Sequence, residues 1–156
     1  MSKQPTIYIG SDYMGFGLKQ KLATFLKTQL QKSVADMGPE KKIEGDDAVD
    51  YAIKVGREVL KNKNNRGILI CSSGHGMCIT ANKIRGIRAS IGYNIMGAEL
   101  MRLHTDANVL CLASKMISFE HACAIVKKFL DTKFDPIDRR VRRLKKLEKL
   151  EKTGKI

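Results

Sequence analysis

A cysteine at the start of a glycine-rich loop is the residue of this sequence best suited to chemistry. Cys71 ends an apolar run and is followed by Ser72, Ser73, Gly74, His75 and Gly76. Glycines permit positive φ and close backbone approach, and successive N–H groups at a helix N-terminus stabilise an anion. The same field favours the thiolate form of Cys71, a usable base or nucleophile. The loop is a candidate anion-binding catalytic site, with a plain packing turn as the alternative.

The sequence has three histidines that could partner this thiol: His75, His104 and His121. His104 ends a helix-like run, and a helix C-terminus favours the imidazolium form that a general acid needs. On its own, a histidine at this position is more often a surface cap than a catalyst. His121 falls inside an amphipathic stretch, so we interpret it as structural. A Cys–His hydrolase remains open at this stage, because spacing alone does not exclude it.

Five short β-rich runs alternate with helix-like stretches, and these elements must position the reactive residues. The predicted strands are 6–9, 33–37, 67–71, 87–91 and 108–112, and the predicted helices are 16–30, 48–60, 77–83, 96–104 and 119–130. Such alternation predicts a parallel sheet covered by helices on both faces. Ligands of such sheets bind outside the carboxyl ends of the strands. The loops at 10–12, 71–76 and 92–94 are therefore expected together at one edge, and 38–47 reads as a loop.

Composition limits the class of protein. With 156 residues, 43% of them hydrophobic, the chain is expected to form a single domain over residues 1–156. No apolar run approaches the roughly 20 residues that span a bilayer, and the N-terminus lacks a signal-peptide apolar region. We therefore expect a cytoplasmic protein with no membrane partner. The four cysteines lack paired CxxC spacing, so we expect reduced thiols and no metal site.

The formal net charge of +13 is concentrated near the end of the chain. From Asp138 onward there are nine basic residues and three acidic ones. Leu144, Leu147 and Leu150 recur every three residues, which predicts a basic helix over about 138–152 that lays an apolar stripe on the domain. We interpret the charges as a solvated helix face; nucleic acid is an unlikely partner, and small anionic ligands remain open.

Taken together, these residues resemble the type B ribose-5-phosphate isomerases, which are related to the galactose-6-phosphate isomerases. The resemblance runs in register over about residues 6 to 147. It is carried by segments 10–12, 67–71, 73–74, 76–77, 81–83, 86–89 and 106–109, by His104, and by Arg139 with Arg143. It implies a Rossmann-like three-layer αβα sandwich with a five-stranded, mainly parallel sheet and a C-terminal helix.

The resemblance also implies roles for individual residues. Cys71 matches the catalytic base and His104 the proton donor, while Ser73, Gly74 and Gly76 match the loop that stabilises the enediolate. Asp12 matches a ligand of a substrate hydroxyl. The phosphate-facing cations are matched by Lys115, Arg139 and Arg143. In the family, His104 and these cations come from the neighbouring subunit, so a homodimer or dimer of dimers with shared sites is implied, and no cofactor is needed.

Four positions depart from the family pattern. Tyr13 replaces the histidine that opens the sugar ring, and Thr105 replaces the asparagine after the catalytic histidine. The segment 47–49 replaces Asp-Tyr-Pro, and Arg140 replaces a second histidine. Either the Tyr13 hydroxyl or His75 is a candidate replacement for the missing imidazole. Two other hypotheses therefore stay open: an isomerase of six-carbon sugar phosphates, and a catalytically weak sugar-phosphate-binding relative.

Overall fold

The computed structural model of the protein describes residues 5–155. Its centre is a five-stranded sheet in the order β2-β1-β3-β5-β4. All four strand pairings are parallel. The strands are β1 (Thr6–Ser11), β2 (Ser33–Asp36), β3 (Arg66–Cys71), β4 (Ala89–Ile91) and β5 (Val109–Ala113).

Six helices connect and cover these strands. They are α1 (Phe16–Thr28), α2 (Ala48–Val59), α3 (His75–Asn82), α4 (Ile95–Thr105), α5 (Phe119–Asp131) and α6 (Asp138–Thr153). Side chains from α1, α4 and α5 pack with one face of the sheet. Those from α2 and α3 pack with the other face. The predicted three-layer αβα sandwich is confirmed.

The inner strands are apolar on both sides because both of their faces are buried. In β3, Ile68 and Ile70 point into one core, whereas Leu69 and Cys71 point into the other. In β5, Leu110 and Leu112 alternate with Cys111 in the same way. Near-continuous hydrophobic runs are typical of parallel strands sandwiched between helices.

The predicted elements differ from the structure mainly at their ends. Helix α3 begins at His75, two residues before the predicted start, because Gly74 adopts φ +81° and turns the chain directly into the helix. Strand β4 begins at Ala89, because the N–H of Arg88 donates to the Asn108 side chain (2.8 Å) instead of to a neighbouring strand.

The apolar stripe of α6 is less buried than the sequence suggested. Leu147 and Leu150 are 47% and 40% exposed. They border a hollow whose opposite wall includes Ile87 and Ala89. The helix is attached at its far end, where the N–H of Gly86 donates to the Glu151 carboxylate (3.2 Å). The stripe therefore faces the domain across this hollow, and these two leucines are only partly covered by their own chain.

Gly15 lies where α1 approaches the end of β3, and the approach leaves no room for a side chain. A Cβ atom there would lie 2.3 Å from the carbonyl oxygen of Ile70. We predict that Gly15→Ala lowers the free energy of unfolding by about 2–3 kcal/mol, because backbone must move to admit the methyl group. Urea denaturation monitored by circular dichroism measures this change.

Gly17 is the matched control, because nothing lies within 4 Å of a Cβ built there. Gly17→Ala in the same helix should leave stability unchanged or raise it by up to about 0.5 kcal/mol. Equal unfolding curves for the two variants would contradict the close packing of Gly15 on β3.

Candidate active site

The candidate site lies where the strand order reverses. From β1 the chain moves to β2 on one side of the sheet and then to β3 on the other, so β1 and β3 are neighbours with crossovers that diverge. Ser11 pairs with Ile70, which places Asp12 beside Cys71 at the carboxyl ends of these strands. A crevice opens at such a switch point in doubly wound sheets.

Cys71 is held at this point by backbone interactions on both sides. The residue is 6% exposed, and its sulfur accepts the N–H of Gly74 at 3.1 Å. Its carbonyl accepts the N–H of Ser114 at 2.9 Å. The left-handed conformation of Gly74 is required for this turn, because a β-carbon disfavours positive φ.

The rest of the loop opens towards β4 and β5. Ser73 and His75 line a cavity of about 340 Å³ together with Gly92, Tyr93 and Ala113. The Ser73 hydroxyl accepts the N–H of His75 at 3.4 Å, at the N-terminus of α3. Gly76 is exposed at the same helix end. The loop therefore presents backbone donors and one imidazole next to an open cavity.

Lys115 lies at the same edge of the sheet. Its N–H donates to the carbonyl of Ser72 at 3.2 Å, and the residue is exposed. The structure therefore places Lys115 beside the Cys71 loop of its own chain, whereas the resemblance implied that it reaches the site from the neighbouring subunit together with His104.

Asp12 is 8% exposed, and its carboxylate accepts the N–H of Gly15 at 2.9 Å. Burial raises the pKa of Asp12, the N–H of Gly15 opposes that rise, and the nearby charge of Asp46 adds to it. The N–H of Tyr13 donates to Asp46 at 2.8 Å. The Tyr13 ring itself lies under the ammonium of Lys42, at 6.0 Å.

Sequence reasoning missed Asp46, which fastens the loop before α2 to the residue after Asp12. Its second oxygen is buried and, like the Ser11 hydroxyl, has no hydrogen-bond partner within residues 5–155. Burial beside Asp46 also raises the pKa of Tyr51. The only signal in the sequence was an acidic pair at positions 46–47 in a segment read as a loop.

His104 does not join Cys71 within one chain. It is exposed near the end of α4, where it lines a hollow with Tyr93, Leu100 and Thr105. Helix α4 leaves the carboxyl edge of the sheet after Asn94 and runs 11 residues towards the opposite edge, a rise of about 16 Å. The Thr105 hydroxyl is used within the helix, donating to the carbonyl of Met101 at 2.7 Å.

Arg139 and Arg143 lie with His104, away from Cys71. Both are exposed on α6, whose start is tied to α4 by the N–H of Asp135 donating to the carbonyl of Leu103 (3.4 Å). Arg140, between them, is 8% exposed and pairs with Asp135. Arg140 therefore fixes the turn into α6, while its two neighbours remain available to a ligand.

Neither a metal-binding cluster nor a membrane-spanning helix is found in the described part of the chain, residues 5–155. Among residues 5–155, no three His, Cys, Asp or Glu side chains converge as metal ligands would. In the same part of the chain, no helix combines the length and apolar character needed to cross a bilayer.

The sheet order, the switch-point crevice and the thiol loop define a Rossmann-like α/β protein with a candidate active site. The Ribose/Galactose Isomerase family profile matches residues 7–147. The chain belongs to this family, and it is therefore a sugar-phosphate isomerase, the enzyme class predicted from its sequence.

Individual relatives agree with this assignment. A probable ribose-5-phosphate isomerase B of Mycoplasma pneumoniae is 40% identical over 86% of this chain and 88% of its own. D-erythrulose-4-phosphate isomerase 2 of Mycolicibacterium smegmatis is 35% identical over 83% and 86%. The crystal structure of ribose-5-phosphate isomerase B from Mycoplasma genitalium with bound ribulose-5-phosphate superposes with a TM-score of 0.91, 38% identity and coverage of 96% and 98%.

The pH dependence of stability tests the environment of Asp12. Because its pKa in the folded state is raised, the folded state binds more protons than the unfolded state as the pH rises above 3.8. The ionised Asp12 carboxylate therefore lowers the free energy of unfolding at neutral pH. Below its unfolded pKa the group is protonated in both states and has little effect. We predict that Asp12→Asn is more stable than the natural protein at pH 7 and that this gain shrinks towards pH 4.

Urea denaturation at several pH values measures this difference. Asp36→Asn controls for the loss of a carboxylate, since Asp36 is ion-paired with Lys19 (2.6 Å) and should lose stability instead. A gain for Asp12→Asn that grew towards pH 4 would contradict the raised pKa.

Proposed function

We propose that the chain interconverts ribose 5-phosphate and ribulose 5-phosphate through an enediolate, with Cys71 as base and His104 as acid. The observation that carries this proposal is the Cys71 thiol at the switch point, accepting the Gly74 N–H at 3.1 Å. The bound ribulose-5-phosphate in the relative from Mycoplasma genitalium supports the choice of substrate.

The reaction moves one proton between adjacent carbons and needs no cofactor. The Cys71 thiolate removes the proton next to the carbonyl, and the electron pair of that C–H bond moves to give an enediolate. Backbone N–H groups of the loop from Ser73 to Gly76 stabilise the oxygen charge, which is commonly the largest contribution to such catalysis. His104 protonates the original carbonyl oxygen and then takes the proton of the neighbouring hydroxyl. As the new carbonyl forms, Cys71 returns its proton to the original carbonyl carbon.

Two further steps draw on residues whose roles are part of this proposal. Lys115, Arg139 and Arg143 hold the phosphate, and Asp12 binds a hydroxyl of the sugar. Ring opening falls to the Tyr13 hydroxyl or to His75. Of these two, His75 shares a cavity with Ser73, whereas the Tyr13 ring is engaged by Lys42.

A homodimer, or a dimer of dimers, is needed to complete the site. Within one chain, Cys71 and Lys115 lie at the carboxyl edge of the sheet, while His104 and the two arginines lie towards the other edge. Large apolar side chains are exposed next to His104 along α4 and the loop before it: Tyr93, Ile95, Met96 and Leu100. A two-fold axis through this surface would give each thiol the partner's histidine.

The length of the sugar is a separate question within the same reaction class. The relative from Mycolicibacterium smegmatis carries the name of a four-carbon sugar-phosphate isomerase. Pentose, tetrose and hexose phosphates therefore belong in one assay panel, run in both directions. Binding without turnover of any of them would favour the sugar-phosphate-binding alternative. A cytoplasmic location belongs to this proposal, because charged sugar phosphates are retained there.

Replacing the thiol is the direct test of the base. We predict that Cys71→Ala lowers kcat/KM for ribose 5-phosphate by at least about 100-fold, the usual contribution of a general base. Cys123→Ala is the matched control, because Cys123 is a half-buried thiol on α5 and should leave turnover unchanged. Full activity in Cys71→Ala would remove Cys71 from the mechanism.

Mixing two inactive variants tests whether the sites are shared. Cys71→Ala and His104→Ala chains should each be inactive, and random exchange between them should restore about a quarter of the natural activity. Half of the dimers would then be mixed, and each would have one intact site of two. If both residues acted within one chain, exchange would restore nothing, so an inactive mixture of confirmed hybrids would contradict the shared site.

A further inference from the structure

A second polar cavity, of about 280 Å³, lies at the amino ends of β3 and β5. Its charged lining residues are Lys63, Arg66, Arg88 and Asp106, beside Gly86 and Asn108. None of Cys71, His104, Arg139 or Arg143 lines it. The cavity is therefore separate from every residue of the proposed reaction.

The one carboxylate of this cavity is already used. Arg88 donates to one oxygen of Asp106 at 2.9 Å, and Arg102, which is 2% exposed, donates to the other at 2.8 Å. Arg88 also donates to the carbonyls of Thr105 and Asp106. The single negative charge of Asp106 thus balances only one of the two positive charges of Arg88 and Arg102.

Arg66 adds a third guanidinium group to this arrangement. It donates to the carbonyl oxygens of Lys63 (3.0 Å) and Asn65 (2.7 Å), and it has no acidic partner among residues 5–155. Burial lowers the pKa of Arg66 to about 10, the positive charges of Arg102 and Arg88 contribute to the lowering, and Asp106 opposes it. The cavity therefore holds a surplus of positive charge that an anion would relieve.

The walls of the cavity are fixed before any ligand arrives. The Asn65 side chain accepts the N–H of Thr6 at 3.0 Å and donates to the carbonyl of Glu58. The Asn108 side chain donates to the carbonyl of Gly86 at 2.9 Å and accepts the N–H of Arg88. Since both amides are committed to the backbone, the cationic groups are held around a preformed space, which lowers the entropic cost of binding.

We propose that this cavity binds a small phosphate dianion, either inorganic phosphate or the phosphate group of a small monoester. Planar guanidinium groups, here those of Arg66 and Arg88, match the geometry of phosphate oxygens. The exposed Lys63 is a third cation in the lining. At about 280 Å³, the cavity has room for a phosphate group.

Site-resolved NMR tests this proposal without depending on catalysis. Inorganic phosphate is titrated at constant ionic strength into the ¹⁵N-labelled protein, and a second titration uses glycerol 3-phosphate, a monoester without a carbonyl group. We expect saturable shifts of the Gly86 and Asn108 amides. The Gly74 and Gly76 amides report the catalytic loop separately, and the tighter of the two ligands identifies the source of the phosphate.

Two lysines of the same turn provide the matched variants. Lys63 lines the cavity, whereas Lys61 pairs with Glu58 (2.5 Å) and does not line it. Lys63→Gln should raise the phosphate dissociation constant at Gly86 and Asn108 by about tenfold, as loss of a charge-assisted contact does, while Lys61→Gln leaves it unchanged. Both lysines are exposed, so both variants are expected to fold.

Arg66→Gln should remove the response altogether while the catalytic-loop amides keep their natural positions. The proposal is overturned if Gly86 and Asn108 do not respond to either ligand, or if Lys63→Gln and Lys61→Gln weaken binding equally. The second result would show general attraction to a basic surface. If the natural protein bound phosphate in this cavity but showed no isomerase activity, the proposed function would be contradicted and the phosphate site would stand.

Discussion

The parallel direction of all five strands is the constraint on which the rest of this structure depends. It brings every strand's carboxyl end to one edge of the sheet, and it obliges every covering helix to carry the chain back to the other edge. Residues that follow strands, such as Asp12 and Cys71, therefore meet. Residues that end helices, such as His104, are carried towards the opposite edge, away from the Cys71 loop.

The two edges stabilise negative charge by different means. At the carboxyl edge, the donors are backbone N–H groups of a turn that a positive φ at Gly74 makes possible. At the amino edge they are side chains, arranged around Asp106, which ends α4 with φ +46°. Both oxygens of that carboxylate are engaged by guanidinium groups. The end of α4, next to His104, is therefore held by two ion pairs.

Much of this arrangement could be predicted from the sequence, because apolar runs of strand length report burial directly. The order of elements, the parallel sheet and the turn at 71–76 all follow from local pattern. The partners of buried polar groups do not. Lys19 is fully buried, with its ammonium on Asp36 (2.6 Å) and the carbonyl of Pro39 (3.2 Å), yet in sequence it looks like any lysine of an amphipathic helix.

Asp46 and the leucines of α6 show the same limit. Asp46 matters because the chain folds back to the N–H of Tyr13, 33 residues away. A repeat of leucines predicts an apolar face but not how much of it one chain covers, and here Leu147 and Leu150 stay exposed. Periodicity specifies the face of a helix, whereas burial depends on the surface that the face meets.

The position of Asp12 has a cost in stability. A carboxylate almost buried against α1, within the field of a second carboxylate, works against stability at neutral pH. The fold offsets this cost locally, through the N–H of Gly15, which lies so close to β3 that only glycine fits. The same glycine therefore allows α1 to pack closely on β3 and donates a hydrogen bond to the Asp12 carboxylate. Because both roles fall on one backbone position, the turn between β1 and α1 cannot shift without disturbing Asp12.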